Sequence, residues 1–269
     1  MSAYVDIHAH VLPGIDDGPR DLEGALELAR AAVAAGTTTI AATPHLRSDF
    51  PDVHVTELAD RCRELRGELE REAIPLRLLG GAEVSLSWAL DASAAELRLA
   101  SYDQRGTDLL IETPSSNVIG IDRLLYELRS NGYRIILAHP ERNPQFARHG
   151  TQLRALAEQG VLLQVNAESL LGAPGRSGPR RFARQLCTEG LAHVVASDGH
   201  RAARWRPVTE LGEAADPAER LIGAARAEWM MSHAPLAILE GRELPEPPPV
   251  IPERSGWPRI FSKLAGPSR

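Results

Sequence analysis

An α/β fold built on parallel strands is what this sequence predicts, and three observations carry the prediction. Short apolar, β-branched runs alternate with amphipathic helical patterns along almost the whole chain, as successive βα units do. Seven such units can be counted, and most of their strands close on His, Asp or Glu. The glycine-rich fingerprint of dinucleotide-binding sheets is missing after the first strand. Together these favour a closed barrel, whose strand-end loops converge on one face, over an open doubly wound sheet.

The first strand is Tyr4 to His10, in which Val5, Ile7 and Ala9 alternate with Asp6, His8 and His10. Period-two alternation sends both histidines to one face, with about 6–7 Å between their α-carbons. The Asp16-Asp17-Gly18-Pro19 turn leads into a helix over Arg20–Ala35, with Pro19 at its entry and Gly36 at its exit. Thr37–Thr43 is β-branched and ends at Pro44-His45; Glu57–Ala73 is a charged amphipathic helix. Arg77–Leu86 is a third strand carrying Glu83, and Asp108–Thr113 a fourth with Glu112 near its end. A helix over Ile119–Ser130 precedes a buried strand, Tyr133–Ala138, that closes on His139-Pro140-Glu141-Arg142. A helix over Leu153–Gln159 leads to the strand Val161–Val165, which ends at Asn166. A helix over Arg180–Glu189 leads to His193–Ala196, which ends at Ser197-Asp198-Gly199-His200. A last helix spans Ala218–Ser232. These elements make one domain over residues 1–241. Residues 242–269 open on a proline-rich run that cannot hold regular structure and read as a flexible tail, with a basic amphipathic end that a partner or membrane surface could dock.

Composition narrows the function. The chain has 269 residues, 43% hydrophobic and 25% charged, with a net charge of −6; that suits a soluble globular protein and argues against a nucleic-acid binder. Two isolated cysteines, Cys62 and Cys187, give neither a disulfide framework nor a thiolate zinc site, and fit a reducing compartment. No leader-like segment precedes the first strand, and no apolar run reaches the ~20 residues of a membrane span. The expected location is the cytoplasm, without stable membrane insertion.

Collected along the chain, the polar groups at strand ends are His8, His10, Asp17, His45, Glu83, Glu112, His139, Asp198 and His200. Five imidazoles and four carboxylates exceed what one ion can accept and suit a cluster of divalent cations. His54, His149, His193 and His233 lie off these motifs. Thiolate-based phosphate chemistry is excluded, because the sixth residue after Cys62 is Glu68 and after Cys187 is His193, where a Cys-x5-Arg loop needs arginine.

The ordered motifs D-I-H-A-H, D-D-G-P, T-P-H, G-A-E-V, L-L-I-E, A-H-P-E-R, Q-V-N-A-E-S-L-L-G and A-S-D-G-H resemble the polymerase-and-histidinol-phosphatase (PHP) superfamily, and within it the CpsB/CapC-type metal-dependent protein-tyrosine phosphatases of capsule biosynthesis. The resemblance runs from about residue 4 to 200. It implies a distorted (β/α)7 TIM-like barrel of PHP type holding up to three metal ions, manganese first, with zinc or iron possible from the ligand types. By position it assigns His8, His10, Glu83 and Asp198 to one metal, Glu112, His139 and a bridging Glu83 to a second, and Asp17, His45 and His200 to a third. Arg142 becomes the phosphate clamp, since a planar guanidinium matches a phosphoryl group bidentately; Arg47 and Arg201, which flank ligand positions, are weaker candidates, and Asn166 a support behind the ligands. Three divalent ions against four carboxylates leave roughly +2 in an otherwise acidic protein, a site for a phosphate dianion. The implied reaction is phosphomonoester hydrolysis by a metal-activated hydroxide. Its implied substrate is the phosphotyrosine tail of a bacterial tyrosine autokinase in exopolysaccharide export, and a homo-oligomer is allowed. The alternatives are a small-molecule phosphatase of the superfamily, such as histidinol-phosphate phosphatase, and a binding module without activity.

Overall fold

The computed structural model describes residues 3–115, 120–148, 150–172 and 177–252. His149 and the tail beyond Pro252 lie outside the described residues. Nine strand segments follow one another as β1 (Tyr4–Ala9), β2 (Thr37–Ala42), β3 (His45–Leu46), β4 (Arg77–Gly80), β5 (Glu83–Val84), β6 (Asp108–Glu112), β7 (Arg134–Ala138), β8 (Leu162–Asn166) and β9 (Val194–Ala196). Every pairing between them is parallel.

Where sequence predicts one closed ring, the ladder falls into two sheets, ordered β1-β2-β4 and β3-β5-β6-β7-β8-β9. The second and third expected strands are each broken in two. Pro44 has no N–H to give to a ladder, and it separates β2 from β3. At Gly81, between β4 and β5, a side chain would meet the Tyr102 ring at 2.8 Å. Backbone bonds cross the breaks: Thr43 N–H to the Ala9 carbonyl at 2.9 Å and Glu83 N–H to the Pro44 carbonyl at 3.0 Å. At the far side, β9 reaches β1 through Asp198 N–H to the His8 carbonyl and His10 N–H to the Gly199 carbonyl, both 2.8 Å.

The helices are α1 (Leu22–Ala34), α2 (Leu58–Arg71), α3 (Leu86–Asp91), α4 (Ala94–Ala100), α5 (Ile121–Ser130), α6 (Pro144–Arg148), α7 (Gly150–Glu158), α8 (Ala167–Leu171), α9 (Ser177–Thr188), α10 (Glu210–Glu213), α11 (Ala215–Ile222), α12 (Ala224–Glu228) and α13 (Ala234–Leu239). Local chemistry starts several of them: the Asp21 carboxylate accepts Gly24 N–H at the head of α1, and Ser93 and Glu96 form a reciprocal capping box on α4. The expected last helix is not continuous. Gly223, at φ 88°, ends α11, and a π-turn over Trp229–His233 joins α12 to α13.

Buried apolar side chains form two layers. The larger lies among the helices and the strand faces turned to them. The smaller takes Val5, Ile7, Ala41, Leu79, Leu110, Ile136, Ala138, Leu162, Val194 and Ala196, together with Tyr102, Ile238 and Leu239. Following the period of two upward from this second layer, Leu110 leads to Glu112, Leu162 to Gln164 and Asn166, and Ala196 to Asp198. The apolar floor and the polar site are therefore successive storeys of one strand face. After α13, residues 243–252 carry no regular element, yet they are tied down. Trp229 Nε1–H donates to the Pro245 carbonyl at 3.0 Å, Arg226 Nη1–H to the Pro248 carbonyl at 3.3 Å, and Ile251 N–H to the Ile222 carbonyl at 3.0 Å.

Candidate metal centre

β1 does not follow the simple alternation that its sequence suggests. Val5 and Ile7 belong to the inner apolar layer and Ala9 to the outer one, and the pairing with β2 shifts register between Asp6 and Ala9. The Asp6 carboxylate takes His8 N–H at 3.2 Å and Ser197 N–H at 3.1 Å, so a side chain does what the ladder would have done. The shift turns His8 and His10 onto the face that Val5 and Ile7 occupy lower down. At two other strand ends, His139 (φ 36°) and Asp198 (φ 52°) are held in the left-handed region, which costs a non-glycine residue of order 1–3 kcal/mol.

All nine expected ligands meet at this one place. Donor atoms lie within 4.8 Å of one another in four sets: His10, Asp17, His45 and His200; His8, His10 and Asp198; His8, Glu83 and His139; His45, Glu83 and Glu112. Glu83 stands at the centre, 3.4 Å from His8, 3.5 Å from His10, 2.9 Å from His45 and 2.8 Å from His139. The grouping departs from the partition implied by the resemblance: His10 also reaches the Asp17 set, Glu83 leaves the His8, His10 and Asp198 set, Glu112 gathers with Glu83 and His45, and His139 with Glu83 and His8.

Whether these residues suit cations is decided by their unpaired atoms. His8 Nε2, His10 Nε2, His45 Nδ1, His139 Nδ1, Asp17 Oδ1, Glu83 Oε2 and Asp198 Oδ1 are buried and have no hydrogen-bond partner. Leaving so many polar atoms dry and unpaired is costly. Divalent ions held among them would satisfy the atoms that face one another around Glu83 and Asp17, so the set fits a multinuclear metal centre. Partners on the far ring nitrogens agree. His10 Nδ1–H donates to Asp16 Oδ2 at 2.7 Å, His200 Nδ1–H to the Asp198 carbonyl at 2.8 Å, and His8 Nδ1–H to Gln164 Oε1 at 3.0 Å. Each bond turns Nε2 towards the cluster, unpaired in His8 and His10 and taken by Arg206 in His200, the arrangement that orients histidine ligands. A polarity chain fixes the last of the three. Asp198 Oδ2 can only accept, so Asn166 Nδ2 donates to it at 2.7 Å; Asn166 Oδ1 then accepts from Gln164 Nε2 at 2.8 Å, which leaves Gln164 Oε1 facing His8.

Without ions the site is electrostatically tense. Burial opposes charge on His10, but Asp16 and Glu83 overcome it and raise its pKa to about 9. Burial pushes His139 down to about 3 and His200 down to about 4. Burial resists ionisation of Glu83, yet the surrounding imidazoles hold its pKa well below the usual carboxylate value. Glu112 moves the other way, raised by burial and by the Glu83 charge.

A cavity of about 930 Å³ opens onto this cluster, lined among others by Asp17, His45, Glu112, His139, Arg47, Arg142 and Arg206. Arg142 Nη1–H donates to Asp198 Oδ2 at 3.0 Å. Arg206 Nη2–H donates to the same oxygen and Nη1–H to His200 Nε2 at 2.9 Å, while Asp198 Oδ1 faces His8 and His10 at 3.5 and 3.6 Å. Asp198 thus turns one oxygen to the imidazoles and the other to two guanidiniums. Arg47 lines the cavity with its guanidinium on Asp49 and Glu112, at 2.6 and 2.5 Å. Arg201 is placed elsewhere: its Nη1–H donates to the backbone carbonyls of Asp17, Gly18 and His200, which makes it a strut for the D-D-G-P turn.

Asp16, Gln164 and Arg206 serve the site although no motif reading singles them out. Gln164 lies two residues before Asn166 and so shares its strand face, a usable signal; Asp16, six residues after His10, needs the turn to be folded first. Arg206 comes from an irregular loop with φ 48°, and nothing in its sequence neighbourhood marks it. Both cysteines are buried, and burial pushes their thiols up, to about 11 for Cys62 and about 12 for Cys187. Neither is a nucleophile.

Parallel βα units with a histidine- and carboxylate-lined cleft at the strand ends define a metal-dependent hydrolase type of site. The family model described as capsular polysaccharide synthesis, CpsB/CapC, matches residues 4–240, and the chain belongs to that family. It is 32% identical over 251 residues to the tyrosine-protein phosphatase YwqE of Bacillus subtilis, covering 93% of this chain and 97% of that one. The tyrosine-protein phosphatase CpsB of Streptococcus pneumoniae is 24% identical over 252 residues, covering 87% and 98%. Among solved structures, one from work on YwqE and CpsB, described as unique metal-dependent tyrosine phosphatases, superposes with a TM-score of 0.78 at 31% identity over 93% of this chain and all of that one. A β-aspartyl dipeptidase from Fervidobacterium islandicum shares the fold alone, with a TM-score of 0.54 at 12% identity over 89% of this chain and 75% of that one. Among the described residues no helix is long and apolar enough to cross a membrane.

Proposed function

We propose that this protein is a metal-dependent protein-tyrosine phosphatase of the cytoplasm, with His8, His10, Asp17, His45, Glu83, Glu112, His139, Asp198 and His200 as its metal ligands and Mn²⁺, up to three ions, as its metal. The observation that carries the reading is the ring of buried imidazole and carboxylate atoms without partners, facing one another beneath an arginine-lined cavity. Divalent ions bound there supply water activation and neutralisation of charge on phosphorus-bound oxygens. The chain's own groups do the rest. Arg142 and Arg206 bind the phosphoryl oxygens from the cavity side and hold the ester in one orientation, in the manner of bidentate guanidinium recognition. Arg47 stands beside Glu112 and opposes the rise in that carboxyl's pKa caused by burial and Glu83. Phenolate leaves readily (tyrosine pKa ~10), so the site can dispense with a strong general acid. The physiological substrate in this reading is a phosphotyrosine segment of a bacterial tyrosine autokinase in capsule or exopolysaccharide synthesis, in keeping with the names that the relatives carry.

The two sheets are read as one distorted seven-unit barrel over residues 1–241. Support comes from the backbone bonds that bridge β1 to β9 and from an inner apolar layer fed by all seven strand lines.

The test is turnover of a phosphotyrosine peptide against histidinol phosphate, with Mn²⁺, Zn²⁺ or chelator present. Phosphotyrosine turnover that chelator abolishes and Mn²⁺ restores is expected. A preference for histidinol phosphate, or chelator-resistant turnover, overturns the proposal. His139→Ala should remove at least about a thousandfold of kcat while circular dichroism and oligomeric state stay unchanged; near-normal activity would remove His139 from the ligand set.

A further inference from the structure

A second groove, of about 600 Å³, lies outside the metal centre between α8, α9 and α11. Arg180 and Arg184 line it from α9 and Arg220 from α11, with Leu171, Pro217 and Leu221 giving apolar surface between them. Arg180 and Arg184 are four residues apart and share a helix face. The Arg180 guanidinium packs on Gly172, 2.6 Å from where a Cβ would sit, so that glycine makes its seat.

Many of the arginines elsewhere on the surface are paired with carboxylates. On α2 and just before it, Arg61, Arg63 and Arg71 pair with Glu57, Asp60 and Glu68; Arg154 pairs with Glu189. Helix α9 contains no acidic residue, and no carboxylate lines the groove. Among the described residues only Arg220 has an acidic neighbour, Asp216 at 4.0 Å, itself 82% exposed. Three cationic groups gathered around apolar surface in a chain of net charge −6 form a local field that attracts anionic chains.

Position gives this field its meaning. Pro179 lines the metal-centre cavity and Arg180 lines the groove, and consecutive α-carbons are about 3.8 Å apart. The cavity and the groove therefore meet at the start of α9, and a polypeptide with one residue in the cavity can run on towards the arginines. We propose that this groove docks an acidic stretch of the substrate polypeptide flanking the phosphotyrosine, and so selects among phosphotyrosine sites. The inference rests on the phosphatase reading and adds a substrate preference to it. The chain's own segment 253–269 fits less well. It carries Arg254, Arg259, Lys263 and Arg269 against Glu253 alone, so it shares the groove's sign.

The experiment compares three substrates on the full-length Mn²⁺-loaded protein: free O-phosphotyrosine, a phosphotyrosine peptide with three glutamates within five residues on either side, and the same peptide with glutamines. The wild type should favour the acidic peptide about tenfold in kcat/KM through KM, and lose the preference in high salt. The triple variant Arg180→Ala, Arg184→Ala, Arg220→Ala should lose that tenfold while its kcat and its turnover of free phosphotyrosine stay unchanged. Equal treatment of both peptides by the wild type, or a preference retained by the triple variant, overturns the docking proposal. So does chymotryptic cleavage within 253–269 that is slow in the wild type and fast in the variant, since the groove would then hold the chain's own end. If free phosphotyrosine is not turned over at all, the catalytic reading fails independently of the groove.

Discussion

Gln164 shows how one uncharged side chain can govern a site made of charges. Its amide relays the polarity of Asp198 through Asn166 to His8 Nδ1, fixing the tautomer whose Nε2 is bare. Gln164→Leu removes the acceptor for Nδ1–H and leaves the His8 ring free to turn. Loss of such an outer partner costs roughly 10–100-fold in metal affinity. The expected result is therefore Mn²⁺ binding weakened by that factor in a competition titration with a fluorescent chelator, and a metal-free melting temperature only slightly changed. Unchanged affinity would show that His8 is oriented by its neighbours alone. At this scale the sequence was informative about identity and poor about partnership. Of the nine candidate ligands, those that close an apolar strand run, such as Glu112, His139 and Asp198, stood out by that position, whereas Asp17 sits in the D-D-G-P turn. Asp16 and Arg206 were not legible, because a turn and an irregular loop decide which side chains face inward, and neither leaves a periodic trace.

At the scale of elements, legibility followed periodicity. The long βα units from Asp108 onward were readable to within a few residues, since a buried parallel strand and an amphipathic helix each impose their period. The breaks were harder. Pro44 splits one strand and Gly223 one helix, and each is a single residue inside an otherwise continuous pattern. Helices α3 and α4 were not anticipated: six and seven residues are too few for a helical period to stand out, and only the capping pair Ser93 and Glu96 marks the start of α4. Helix packing gives a sharp test of how tightly these elements close. A Cβ on Gly212 of α10 would lie 2.3 Å from the Ala35 carbonyl oxygen at the end of α1, a contact against backbone that no rotamer change relieves. Gly212→Ala should cost about 1–3 kcal/mol, read as a lower urea midpoint at unchanged m-value. A neutral outcome would mean that α10 shifts freely over α1.

The whole molecule pays for assembling its site before any ion arrives, and pH exposes that cost. In the metal-free protein His10 has its pKa raised from 6.5 to about 9. Its protonation stabilises the fold fully below about pH 6.5, and that contribution is lost as pH rises through about 9. His139, His200 and His193 lie on the opposite side, pushed by burial to about 3, 4 and 4. They stay neutral in the fold while the unfolded chain protonates them, so stability is lost as pH falls from 6.5 towards 4. Glu141 works against these three, because burial raises it to about 7 and its proton favours the fold at low pH. On the acid side the folded chain therefore binds about two protons fewer than the unfolded one, and on the alkaline side about one more. Each proton of difference is worth about 1.4 kcal/mol per pH unit. The metal-free protein should accordingly be most stable between about pH 6.5 and 7 and less stable in both directions, more steeply towards acid, as thermal melts between pH 4.5 and 9 would record. Binding needs a bare His10 Nε2, and an ion of charge +2 beside the ring opposes the proton that Asp16 and Glu83 otherwise favour. Adding Mn²⁺ at pH 7 should then release about one proton, measurable by calorimetry in buffers of different ionisation enthalpy, and should flatten the alkaline limb of the stability curve. An alkaline limb that Mn²⁺ leaves untouched would separate His10 from the metal centre.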